Sequence, residues 1–203
     1  MKIEKLDKDN IEEYIRDMKL VDTDNLRNNI NKLNEFGIKK DDKFVFSFIP
    51  YDDFIGVSFG NYKIDDILVK EIFSFLNNNL SFDGHLLVEV YNNKVIDIMD
   101  SLYRVKNINV NKIIKDGDDN SSQKEKYADI DMRSIKYFDS KNNIFCNLYS
   151  QNIQDEDVIN KLDKFFIESN ANSIDFCILP DSLEYMESLG YRCNSKLYII
   201  DYE

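Results

Sequence analysis

The sequence has no tryptophan, one histidine, two prolines, six glycines and three cysteines in 203 residues. Each shortage excludes something. Loop-rich and disordered chains lean on Pro and Gly, so this scarcity points to a packed chain of regular elements. Cys146, Cys177 and Cys193 have no short paired spacing, and beside the single His85 they cannot supply the four N/S ligands of a structural zinc centre. No metal site is expected. No apolar run approaches the ~20 residues of a membrane span. Met1-Lys2-Ile3-Glu4-Lys5 leads straight into an amphipathic pattern, without the apolar core of a secretory leader. Positive charge is also scarce: 26 Lys and Arg stand against 38 Asp and Glu, a net charge of −12. Such a surface repels phosphate backbones and anionic headgroups, so neither nucleic acid nor membrane is an expected partner. The expected location is the cytoplasm, with reduced thiols.

What is present is core material and a repeat. Hydrophobic residues make up 43% of the chain, with fourteen Phe and twelve Tyr, enough for one large domain or two small ones. Ile98-Met99-Asp100-Ser101-Leu102-Tyr103-Arg104 returns 87 positions later as Tyr185-Met186-Glu187-Ser188-Leu189-Gly190-Tyr191-Arg192, with one residue added before the Arg. Upstream, Leu68, Val69, Ile72, Phe75 and Leu76 correspond to Val158, Ile159, Leu162, Phe165 and Phe166, and Leu86, Val88 and Val90 to Ile174, Phe176 and Ile178. Each copy reads as helix, strand, helix, closing strand.

Before the first copy, Lys2–Leu6 alternates like a strand, and Ile11, Tyr14, Ile15 and Met18 form one helical face. A second helix is predicted through Leu26, Ile30 and Leu33, with Gly37 as its stop. Phe44–Ile49 and Phe54–Phe59 predict a hairpin. Residues 116–126 carry no apolar side chain and read as a linker. The acidic start of that stretch lacks the Gly and closing Glu of a calcium loop. After it, Ile130–Phe138 and Ile144–Tyr149 predict a second hairpin. The expected organisation is therefore a lobe at 1–115, a linker at 116–126 and a shortened lobe at 127–203.

This order of elements resembles the GNAT (Gcn5-related N-acetyltransferase) superfamily. Val90-Tyr91-Asn92-Asn93-Lys94-Val95 is similar to that family's strand-to-helix turn, and Tyr185-Met186-Glu187-Ser188-Leu189-Gly190-Tyr191 to its helix end. The resemblance implies an α/β fold with an α+β mixed sheet, acetyltransferase-like, in two related lobes of which the second is truncated. It also implies acetyl-CoA as cofactor, with its pyrophosphate on the amides that open the central helix. In the family that loop carries glycines; here the matching stretch is Tyr62-Lys63-Ile64-Asp65-Asp66-Ile67-Leu68. Lys63 and Ile64, with Asn92 and Asn93, are the candidate cofactor contacts. Asp65 and Asp66 oppose a diphosphate, and Gln154-Asp155-Glu156-Asp157 opens the second central helix no better.

The family's general acid is a Tyr, but Met99 and Met186 occupy the matching positions. Tyr185 and Tyr103 are the substitute candidates. His85 and Glu89 are the candidate general bases. The expected function is a GNAT-like protein with a degenerate acetyl-CoA site, used as a non-catalytic interaction or assembly module. On that reading no cofactor is expected. The alternative is an active enzyme moving acetyl from acetyl-CoA to an amine, and a third reading is an unrelated α/β repeat. The expected partner is another protein or a second copy, with Phe138, Phe145 and Tyr149 near a lobe or subunit contact.

Overall fold

A computed structural model describes residues 1–21, 23–60, 64–80, 85–91, 93–115 and 123–201. The chain forms two compact units, residues 1–104 with 197–203, and residues 105–196.

The first unit opens with β1 (Lys2–Lys5), α1 (Ile11–Met18), α2 (Asp24–Asn29) and a 3-10 turn at Ile30–Lys32. Strands β2 (Phe36–Lys40), β3 (Lys43–Pro50) and β4 (Ile55–Phe59) follow, then α3 (Asp66–Asn79), β5 (His85–Val90) and α4 (Asn93–Leu102). β1 to β4 pair antiparallel in sequence order. β4 then pairs parallel with β5, Ile55 opposite Val88 and Gly56 opposite Glu89. The parallel step requires the crossover that α3 supplies. α1 forms where the apolar spacing predicts it, with Ile11, Tyr14, Ile15 and Met18 buried. These four pack with Leu6, Ile30 and Phe44 on one face of the sheet. α3 covers the other face, where Phe73 meets Phe46 and Phe59 edge-on at 5.9 and 6.5 Å.

The second unit contains β6 (Arg104–Ile113, from Val105 on), β7 (Lys124–Ile130), β8 (Arg133–Ser140), β9 (Asn143–Asn147), α5 (Glu156–Glu168), β10 (Ser173–Ile178) and α6 (Leu183–Ser188). Its plan repeats that of the first. β7, β8 and β9 form an antiparallel meander, β9 pairs parallel with β10, and α5 is the crossover. Val158, Ile159, Leu162 and Phe166 of α5 are buried, as are Val69, Ile72 and Leu76 of α3. One matching position differs in kind: α3 buries Phe73 where α5 buries Asp163.

The last strand, β11 (Arg192–Asp201), is divided: its residues to Lys196 belong to the second unit and those from Leu197 to the first. In the first unit β5 is followed by β11, and in the second β10 is followed by β6. Each closing strand thus follows its own helix in the chain yet joins the other unit's strands. The expected lobes at 1–115 and 127–203 place these strands the other way round.

Three further expectations change. The second helix stops at Asn29 and Phe36–Lys40 is a strand. Gly37 there does not end a helix. It lets the Phe44 ring lie against the backbone, since a Cβ would stand 2.4 Å from Phe44 Cε1. With β2 in place the first unit has a four-stranded antiparallel meander ahead of its central helix. Second, the run from Ile130 to Phe138 breaks at a tight turn, Asp131 and Met132 both having positive φ, 49° and 65°. Third, the linker is shorter than expected, because Lys124, Glu125 and Lys126 begin β7. Charged residues suit a strand with one unpaired edge, and only their polarity made them read as loop.

Candidate functional site

The α1 face of the first unit carries a polar seam. Strand registers put Ser47 opposite Ser58, Ile49 opposite Gly56, and Gly56 opposite Glu89, all on one face. α1 lowers Tyr14 onto this face. Its hydroxyl lies 2.8 Å from Ser47 Oγ and donates to Glu35 Oε1 at 3.2 Å, while Ser47 donates to the same oxygen at 2.7 Å. Tyr14, Glu35 and Ser47 are all buried. A buried carboxylate is tolerated only with such donors.

Next to this group Glu89, 5% exposed, accepts the Tyr91 hydroxyl at 2.6 Å. Burial first, then the bond to Glu89 and its charge, push the Tyr91 phenol well above its ordinary value. A cavity of about 140 Å³ lies here, with Glu35 and Ser47 in its floor and half-exposed Tyr51 and Tyr91 at its mouth. The Tyr51 ring rests on Gly56, where a Cβ would come within 3.0 Å of Cε2, and stacks on Phe54 at 4.6 Å. A carboxylate below and phenol rings above suit a small organic cation.

The amino end of each central helix is capped by a side chain of its own. At the head of α3, Asp65 accepts the Leu68 amide at 2.9 Å as N-cap, and Asp66 stands in the first turn. At the head of α5, Asp155 accepts the Asp157 amide at 3.1 Å, with Glu156 and Asp157 following. Those amides already serve a carboxylate, and a second anion would meet its charge in each unit.

The candidates named from sequence fall in different places. Glu89 sits in the seam just described. Tyr103 is half-buried, its ring edge-on to Phe73 at 5.9 Å. It borders a separate cavity on the α3 face. Tyr185 is half-buried against the core of the second unit. Desolvation first, then the charges of Glu156, Asp157 and Asp163, raise its phenol, which makes it a weaker proton donor. Met99 and Met186 are fully buried. Ile64 is half-buried just ahead of α3. Lys63 and Asn92 lie outside the described residues, as do the side chains of His85 and Asn93.

The sequence reading missed Tyr14, Glu35, Ser47 and Tyr51. The available signal was a lone Ser at the centre of Phe44-Val45-Phe46-Ser47-Phe48-Ile49. It also missed a buried group in the second unit. Asp163 accepts Tyr191 Oη at 2.7 Å and Lys112 Nζ at 3.0 and 3.1 Å. The Lys112 ammonium lies 5.1 Å over the Tyr191 ring.

No family model matches this chain, and no curated protein matches it. Three similar solved structures carry acetyltransferase names. A putative acetyltransferase from Pyrococcus horikoshii has a TM-score of 0.45 at 8% identity, over 99% of this chain and 89% of that one. A GCN5-related N-acetyltransferase from Sphaerobacter thermophilus has 0.42 at 5%, over 97% and 93%. A GNAT-family acetyltransferase from Colwellia psychrerythraea has 0.38 at 8%, over all of both chains. The chain's own order in the first unit is a meander, a parallel step across a central helix, then helix and strand. Among the described residues no helix is long and apolar enough to cross a membrane.

Proposed function

We propose that this chain is a GNAT-like binding or assembly module whose acyl-CoA end is closed by its own carboxylates. One observation carries the reading: Asp65 occupies the Leu68 amide at the head of α3. That amide, which the resemblance would give to a diphosphate, already serves a carboxylate. No cofactor is used, and the module works in the cytoplasm through its surfaces, on another protein or a second copy of itself. Phe138 and Phe145, paired across β8 and β9 and half-buried, form the contact together with half-buried Tyr149.

A second reading keeps the enzyme, and the seam in the first unit favours it. Glu89 would take the proton from an amine seated between Tyr51 and Tyr91, and acetyl-CoA would bind by contacts other than the helix head. Turnover separates the two. The protein is incubated with acetyl-CoA and a mixture of primary amines and lysine peptides, and both free thiol and acetylated product are followed. The module reading expects no amine-dependent thiol release. Acetylated product that disappears in Glu89→Gln would establish the enzyme.

A further inference from the structure

The second cavity of the first unit, about 360 Å³, lies on the α3 face, toward the C-terminal end of that helix. Lys70, Ser74, Asn77 and Asn78 of α3 form one wall, and Tyr103 and Asp201 belong to the others. Three observations say what it would hold. Its walls carry both signs of charge, from Lys70 and Asp201. The Lys70 ammonium has only a loose pair with Asp66, at 3.9 Å and more than half exposed. Among the described residues, Asn77 Oδ1 is the buried side-chain atom that lacks a hydrogen-bond partner. An acceptor removed from water and given no donor keeps its whole desolvation penalty. The carboxamide torsion of Asn is broad, so the group can turn to a donor placed in the cavity.

The third observation comes from the repeat. In the second unit the tyrosine that matches Tyr103 has an ammonium group of the chain over its ring. There Lys112 reaches Asp163 and lies over Tyr191. By the repeat spacing, Tyr191 matches Tyr103, Asp163 matches Phe73 and Lys112 matches Ile200. The first unit keeps the tyrosine ring, and Phe73 meets it edge-on at 5.9 Å where the second unit has Asp163 and its lysine. Its acceptors are supplied by Asn77 and Asp201.

We propose that this cavity binds a small zwitterion, a free α-amino acid. Its ammonium sits toward Tyr103, Asp201 and Asn77 Oδ1. Its carboxylate faces Lys70 and Ser74. A simple amine is disfavoured by Lys70 and a simple carboxylate by Asp201, so only a ligand carrying both charges satisfies the walls. The site is separate from the Glu35–Glu89 seam and does not depend on the function proposed above.

Calorimetry and thermal melting with each of the common α-amino acids, at up to millimolar concentration, test this on the intact protein. At least one should bind and raise the melting temperature, and its decarboxylated and deaminated analogues should not. Asn77→Leu should melt no lower than the parent, since it removes an orphaned acceptor, yet bind about ten- to a hundredfold more weakly. Lys70→Met, at an exposed position, should also lose affinity, while Lys164→Met, exposed on α5 of the second unit, should bind normally. No binding by any amino acid, or unchanged binding in both Asn77→Leu and Lys70→Met, overturns the proposal.

Discussion

Ser47 is a hydroxyl in the middle of a strand of phenylalanines, and it is fully buried because two other buried groups need it. Replacing it with Ala leaves Glu35 with Tyr14 as its remaining partner in this group. The expected loss is about 1–3 kcal/mol, measured by urea unfolding, and a loss near zero would mean the trio is not coupled. Asp163 makes the same point in the second unit. Asp163→Phe alone, the residue found at the matching position of α3, leaves Lys112 uncompensated and should cost about 3 kcal/mol or more. Adding Lys112→Ile, which completes the match to Phe73 and Ile200, should recover most of that loss. If the double variant is no better than the single, the pair is not the cause. Tyr191 adds a pH dependence. Burial first, then Asp163, raises its phenol far above the ordinary value. A raised phenol stabilises the fold fully below its unfolded value of about 10, and that contribution is lost as pH climbs through the folded value. Tyr191→Phe should therefore be less stable than the parent near neutral pH, with a shallower decline above about pH 10.

At the scale of elements the exchanged closing strands decide what can fold alone. Tyr198 is fully buried and donates to Asp100 at 2.8 Å and to the Ile96 carbonyl at 3.3 Å. All three residues belong to the first unit, though Tyr198 arrives some hundred positions after the others. A fragment of residues 1–115 should therefore show no cooperative melting by itself and regain it when a peptide of residues 190–203 is added. A fragment that melts cooperatively alone would show that β11 is dispensable. The exchange was not legible in the sequence, because the repeat tells which strand resembles which and not which partner each takes. Local periodicity did better. α1, α3, α5, β5 and β10 all carry their apolar spacing on their surface, and the helical spacing of Tyr14 already pointed inward. β2 was hidden because Phe36-Gly37-Ile38-Lys39-Lys40 holds a glycine and two lysines, and β7 because an edge strand tolerates charge. Of the site, Glu89 could be named from its place in an apolar strand. The Tyr14–Glu35–Ser47 trio could not, since its members lie 12 to 33 residues apart on separate elements.

For the whole molecule the dominant quantity is its net charge of −12. Both central helices open on clusters of that acidity, so the chain disfavours a diphosphate twice, locally through the caps and globally through its field. An acidic surface still permits contacts through half-buried aromatic residues. Tyr149→Asp should lower the melting temperature or shift the sedimentation coefficient. If the variant melts and sediments like the parent, the Phe138–Phe145 face is simply solvated. A module of the kind proposed requires helix heads that do not accept acetyl-CoA. Isothermal titration of the full chain with acetyl-CoA at low salt measures this directly. The closed caps predict no saturable heat in the micromolar range, and a low-micromolar dissociation constant would contradict them.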